Sequence, residues 1–323
     1  MTDALPPDSP APTSKGRERL RLLVVWGVTL ALVAYVAGTT DLETFGEALL
    51  KASPLLVLGL TLVEVLAAWA YDSLAITWLV RRFHAPVTYR EILPIKGASL
   101  LLNVINYNAG VLGIAYFLRD RRRVPFLETT GSMLLMSGVD LFVMAVFMGL
   151  GWMAFGDGLD PALGAIVLTV APVMVVGFLA NIVFWKLEPR LTFLHAVTRR
   201  ALFASFRKAD LDAWGRLVLL RVGLFGVYFT YQFLILHVFD VRATLGMLLV
   251  SYPIMVFVGT LPISVSGFGS TQLAARFLWA PFVVGTVAHA DAVIDAATTA
   301  SLTGFLLWRV GVGLLCLPAA RRS

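Results

Sequence analysis

The chain of 323 residues holds a single cysteine, Cys316, and only four histidines, His84, His195, His237 and His289, far apart from one another. One thiol excludes an internal disulfide, so Cys316 is expected to serve packing. Neither an H-E-x-x-H nor a C-x-x-C spacing occurs, so no metal site and no cofactor are expected. Charge is scarce too. Asp, Glu, Lys and Arg make up 14% of the residues, where a soluble domain carries about a quarter. No convincing nucleophile–base pair and no carboxylate cluster stands out, so the chain does not read as an enzyme.

Apolar residues are what the sequence has in abundance, 59% of the chain with a mean hydropathy of +0.83. Runs long enough to cross ~30 Å of hydrocarbon recur along it. Six are full-length candidates: Leu22–Gly38, Pro54–Val80, Thr130–Phe155, Pro161–Trp185, Arg216–Phe239 and Ala292–Leu317. The expected fold is an all-α polytopic membrane protein. Residues 1–19 read as a disordered cytoplasmic tail, polar and proline-rich in "MTDALPPDSPAPTSK". Residues 20–318 form one transmembrane domain with halves at about 20–155 and 161–318, and 319–323 a second tail. The first run follows Lys15, Arg17, Arg19 and Arg21; "VAG" before Thr39 is compatible with cleavage, but the run is long for a signal peptide and reads as a retained anchor.

The net charge of +6 does not point to nucleic acid, because the basic residues fall in short loops between apolar runs, where they set orientation. With both termini cytoplasmic, in a plasma membrane of bacterial inner-membrane type, every strongly basic loop stays inside. These loops carry Arg81, Arg82, Arg90 and Lys96; Arg119 and Arg121 to Arg123; Lys186 to Lys208; and Arg321 with Arg322. Asp41, Glu43, Glu47, Asp157, Asp160 and Asp240 then lie outside.

Two further apolar segments are interrupted. If Gly97–Leu118 crossed once, its basic loop would face outside; a hairpin entering and leaving on the cytoplasmic side avoids this. Its arms of about eleven residues reach ~16 Å, to mid-membrane. The other segment runs from Leu245 to Val284 around "LPISVSGFGSTQLAA", and its arms read either as a re-entrant hairpin or as two full spans. Each half thus holds three spans with a broken hairpin after the second. That odd number makes an inverted repeat, the layout of transporters whose sites form at broken helices.

Irregular backbone at membrane depth must be covered by protein or line a polar cavity. Candidate substrate-binding residues are therefore those of the two breaks: Asn103, Asn106, Asn108 and Gly110 in the first, and Pro262, Ser264, Ser266, Gly267, Gly269, Thr271 and Gln272 in the second. Intramembrane charges are the other constellation: Glu64, Asp72, Asp140, Arg221, Arg309 and, less centrally, Asp295, each costing on the order of 2.5–3.5 kcal/mol to insert. Glu64 and Asp72, eight apart, share a helix face, as do Arg221, Tyr228 and Gln232. Arg221 either pairs with an acid or snorkels; Glu64 is too deep to snorkel. Leu187–Leu211 mixes bases with apolar residues and reads as an amphipathic helix on anionic lipid.

Three pieces, "NVINYNAGVLGIAYFLRDRRRVPF", "MLLMSGVDLFVM" and "LPISVSGFGSTQLAA", in that order, resemble the transmembrane domain of the lysylphosphatidylglycerol synthase type, a flippase-like family. The resemblance covers about 20–318, and the synthase activity is not expected of that portion. It implies an aspartate role for Asp140. It also marks departures: Gln272 stands where an acid is usual, Thr271 where a base is common, Ile114 at one expected arginine, and Ser137 or Gly138 near another. A less charged substrate is the implication. The expected function is a transporter or flippase that moves a lipid or other amphiphile between leaflets, with membrane lipids as partners and the headgroup held between the broken hairpins. A membrane enzyme of lipid or glycolipid metabolism, or an accessory subunit, is the alternative.

Overall fold

The computed structural model describes residues 15–104, 107–158, 160–187, 194–260 and 267–321, which form thirteen α-helices and no strand. Of the residues singled out above, Asn106, Pro262, Ser264 and Ser266 lie outside the described residues, as does the side chain of Asn108. The helices are α1 (Lys15–Thr39), α2 (Leu42–Lys51), α3 (Pro54–Phe83), α4 (Tyr89–Asn103), α5 (Tyr107–Arg122), α6 (Phe126–Phe155), α7 (Pro161–Leu187), α8 (His195–Thr198), α9 (Ala204–Lys208), α10 (Leu211–Val238), α11 (Leu245–Thr260), α12 (Ser270–Trp279) and α13 (Val287–Arg321).

Five of them, α3, α6, α7, α10 and α13, are long and apolar enough to cross a membrane, and the apolar part of α1 is shorter, Trp26–Thr39. Their outer surfaces stay apolar: Leu55 and Leu315 are each 82% exposed, and Leu168, Val173 and Leu219 face outward as well. A helix apolar on its inner and outer faces alike belongs in lipid. The chain is an integral membrane protein. Prolines 94, 172, 253 and 318 sit inside helices, as neighbouring helices in a bundle permit.

Between the long helices run two pairs of short ones. The Glu91 carboxylate in the first turn of α4 pairs with Arg122 at the end of α5, which ties the outer ends of that pair together. At the inner end the Asn103 side chain lies so close over Gly110 that a Cβ there would overlap it, and Leu102 fills the same place over Gly113. Arms of 15 and 16 residues rise roughly 22–24 Å, less than a full crossing. In the second pair, the Trp279 indole at the end of α12 donates to Ser251 Oγ within α11 at 2.9 Å, and Arg242 N–H before α11 donates to Phe282 O after α12 at 3.0 Å.

Two sequence expectations are corrected. The stretch Leu187–Leu211 is no single amphipathic helix. From residue 194 onward it is α8, a 3-10 turn at Ala201–Phe203 and α9, broken where Arg200 takes an extended conformation. Its aromatic residues turn inward: Phe203 and Phe206 pack on Trp185, and Phe206 also meets Trp214. Lys96, grouped above with cytoplasmic loop bases, is buried inside α4.

Candidate functional site

Lys96 is held there by charge. Its Nζ lies 2.7 Å from Asp72 Oδ2, and Asp72 Oδ1 accepts from Arg221 Nη1 at 2.5 Å. Arg221 also grips Asp140 through its Nε and, at 3.0 Å, through Nη2. The chain Lys96–Asp72–Arg221–Asp140 joins α4, α3, α10 and α6, and its two acids balance its two bases. Of the two readings left open for Arg221, the structure has the paired one. The fork of a guanidinium suits two carboxylates at once, which a lysine could not copy. Charge at apolar helix positions made each acid visible in the sequence; which base it meets depends on helix neighbours that hydropathy does not encode.

Beside this network opens a cavity of about 340 Å³. Its walls come from α3 (Glu64, Val65, Asp72), α4 (Lys96, Asn103), α10 (Tyr228, Tyr231, Gln232), α11 (Tyr252, Met255), α12 (Thr271, Trp279) and α13 (Thr298, Ser301, Arg309). Asn103 and Val104 at the first break and Gly259, Phe268 and Thr271 at the second border the same space. Glu64 and Asp72 do share one face, and it is this one.

The second break explains its glycines. Gly267 and Gly269 have φ of +80° and +81°, the left-handed region that only glycine enters freely. A Cβ on Gly269 would also stand 2.4 Å from Leu32 Cβ of α1. Gly269 N–H donates to Gln272 Oε1 at 2.6 Å, so the side chain that departs from an acid caps the start of α12. Gln272 Nε2 reaches Thr299 Oγ1 at 3.4 Å.

Within the cavity, charges are partnered unequally. Glu64 is 5% exposed, yet its Oε2 has no hydrogen-bond partner among the described residues. The Tyr231 hydroxyl, buried beside Ser301, also lacks a partner at hydrogen-bonding geometry. Arg309 has no salt bridge to any described residue; its guanidinium carbon sits 5.4 Å over the Phe305 ring, within electrostatic reach of Glu64.

Two clusters elsewhere were not foreseen. Arg276 of α12 binds Asp295 of α13 through Nε at 2.9 Å and Nη2 at 2.5 Å, and reaches Thr39 and Thr40 at the end of α1. It fastens the second short pair to α1 and α13. Just past the end of α3, His84 Nε2 lies 2.6 Å from Ser132 Oγ, which is 2.5 Å from Ser205 Oγ, while Nδ1 faces Glu128 Oε2 at 3.4 Å. Spacings of 48 and 73 residues hid this set from the sequence. Its order imitates a hydrolytic triad. Both serines are fully buried, the imidazole is 1% exposed, and none of the four lines the cavity, so the set clamps α9 to α3 and α6 instead. Burial, opposed by Glu128, holds the His84 imidazole below its ordinary pKa.

No metal-ligating group of three or more His, Cys, Asp or Glu occurs among the described residues. No curated protein and no solved structure matches the chain. The family model described as the lysylphosphatidylglycerol synthase TM region matches residues 20–306, which takes in both short helix pairs, the buried charge network and every cavity-lining residue but Arg309. With most of its length covered, the chain belongs to that family.

Proposed function

We propose that the protein moves a lipid or related amphiphile between leaflets, its headgroup carried in the central cavity. The single observation that supports this most is that residues of both breaks border one largely apolar space lined by a buried carboxylate, Glu64, whose Oε2 has no hydrogen-bond partner among the described residues. Arms of 15 and 16 residues, and of 16 and 10, favour re-entrant hairpins entering from opposite faces of an inverted repeat, with both termini cytoplasmic in a bacterial inner membrane. A family described by a lipid synthase's membrane region fits a lipid cargo. On this reading Asn103, Gly110, Gly267, Gly269, Thr271 and Gln272 shape the passage. Glu64 and Arg309 meet the headgroup, while Asp72, Asp140 and Arg221 hold the wall.

Reconstituting the protein into vesicles with lipids that are fluorescent only on an acyl chain tests it. Several headgroups should be compared, and at least one should cross faster than in protein-free vesicles. No acceleration for any headgroup overturns the reading.

A further inference from the structure

We infer that the cavity is built for a zwitterionic phospholipid headgroup bearing a primary ammonium and a phosphodiester, with the ammonium on Glu64 and the phosphate on Arg309. This rests on the translocation reading and narrows its cargo. Among the described residues, four charged side chains line the cavity: Glu64, Asp72, Lys96 and Arg309. Asp72 and Lys96 are spent on each other and on Arg221. Among the described residues Glu64 and Arg309 make no contact ion pair and act on each other only at a distance, which leaves a negative and a positive site in the same space.

The sign of the remaining charges selects among ligands. An anionic headgroup satisfies Arg309 but places its charge before Glu64, at low dielectric where like charges repel strongly. A purely cationic one satisfies Glu64 and leaves Arg309 facing it. A neutral polyol can hydrogen-bond to both yet brings no opposite charge to either. A dipolar headgroup answers both at once and adds no net charge. The tyrosines fit the same cargo: Tyr228 and Tyr252, ring centroids 6.4 Å apart, line the cavity with aromatic surface for an ammonium, and the Tyr231 hydroxyl beside Ser301 is a donor for a phosphate oxygen.

The test uses the full chain in vesicles with acyl-labelled phosphatidylethanolamine, phosphatidylglycerol, a neutral glycosyl diacylglycerol and a cationic trimethylammonium lipid. Phosphatidylethanolamine should cross fastest. Losing one charge-assisted contact is worth about tenfold or more, so Glu64→Gln should shift preference towards phosphatidylglycerol by about that factor and Arg309→Gln towards the cationic lipid. Opposite shifts from two variants are a result that merely structural roles would not give. A wild-type preference for phosphatidylglycerol, the glycolipid or the cationic lipid overturns the inference and leaves translocation standing. If no lipid crosses, translocation falls, and thermal stabilisation of the detergent-purified protein decides the site. Short-chain phosphatidylethanolamine should stabilise the wild type more than phosphatidylglycerol does, and neither variant should keep that difference. Equal stabilisation by both lipids overturns it.

Discussion

Arg221 of α10 and Arg309 of α13 are arginines at apolar helix positions around one cavity, and their surroundings are opposite. Arg221 is 5% exposed and bound by two carboxylates, whereas Arg309 is half-buried and rests on a phenyl ring. The acids divide the same way: Asp72 and Asp140 are held, Glu64 is not. Since a buried charge is costly unless paired, a pair that closes on itself is explained by the fold, and a charge left open calls for something outside the chain. The contrast separates wall from site without reference to activity.

The sharpest way to break that contrast is Arg221→Met. It leaves Asp72 and Asp140 facing each other, with only Lys96 to compensate, and removing one partner of a buried pair costs about 3–5 kcal/mol. The variant should lose folded yield and melt far lower in detergent. Adding Asp140→Asn to it should restore part of the loss, because the second charge then no longer needs a partner. If Arg221→Met alone melts like the wild type, the network is not what holds α3, α4, α6 and α10 together.

Next in size is the second break. Gly269→Ala forces a β-carbon into the left-handed region and against Leu32, which costs on the order of 1–3 kcal/mol. Gly138→Ala in α6 meets nothing within 4 Å and should be neutral or slightly stabilising. Melting temperatures of the pair measure the difference. This glycine also marks how far the sequence could be read. Five of the six expected spans and the places of the two interruptions follow from hydropathy, which acts along the chain, whereas the cap of Gln272 on Gly269 appears only in the folded structure. Nor do lateral partners follow from it: Lys96 looked like a loop base because its neighbours in sequence are basic, and only α3 packing beside α4 gives it Asp72. Likewise, nothing near Asp140 in sequence names Arg221, 81 residues on. Arg276 drew no notice although Asp295 did, since a single base beside a glycine-rich turn has no period to betray its partner.

The His84 clamp should respond to pH, with a smaller effect. Burial lowers its pKa from the ordinary 6.5, so below that pH an opened state binds a proton before the closed one does. Stability of the α9 attachment is therefore complete above about pH 6.5 and falls as pH drops through the lowered pKa. Glu128 works against this by favouring the imidazolium, and Lys208 works with it. Hydrogen exchange of Ala204–Lys208 should slow less between pH 7.5 and 5.5 than the loss of base catalysis alone predicts, and His84→Gln should remove that discrepancy. An unchanged profile means that the imidazole's protonation does not govern the contact.

Smallest in stability, and most telling for the comparison, is Glu64→Gln. The change removes a carboxylate that makes no contact ion pair among the described residues and feels Arg309 only at a distance, so the melting temperature should move little or rise slightly, the reverse of Arg221→Met. Transport of phosphatidylethanolamine should fall in the same variant, because the carboxylate that makes no contact pair in the folded chain is the one that its ammonium would meet. A structural acid would show the two effects together, instability with lost transport. A drop in melting temperature as large as that of Arg221→Met would place Glu64 among the wall residues and erase the distinction between the two arginines' surroundings.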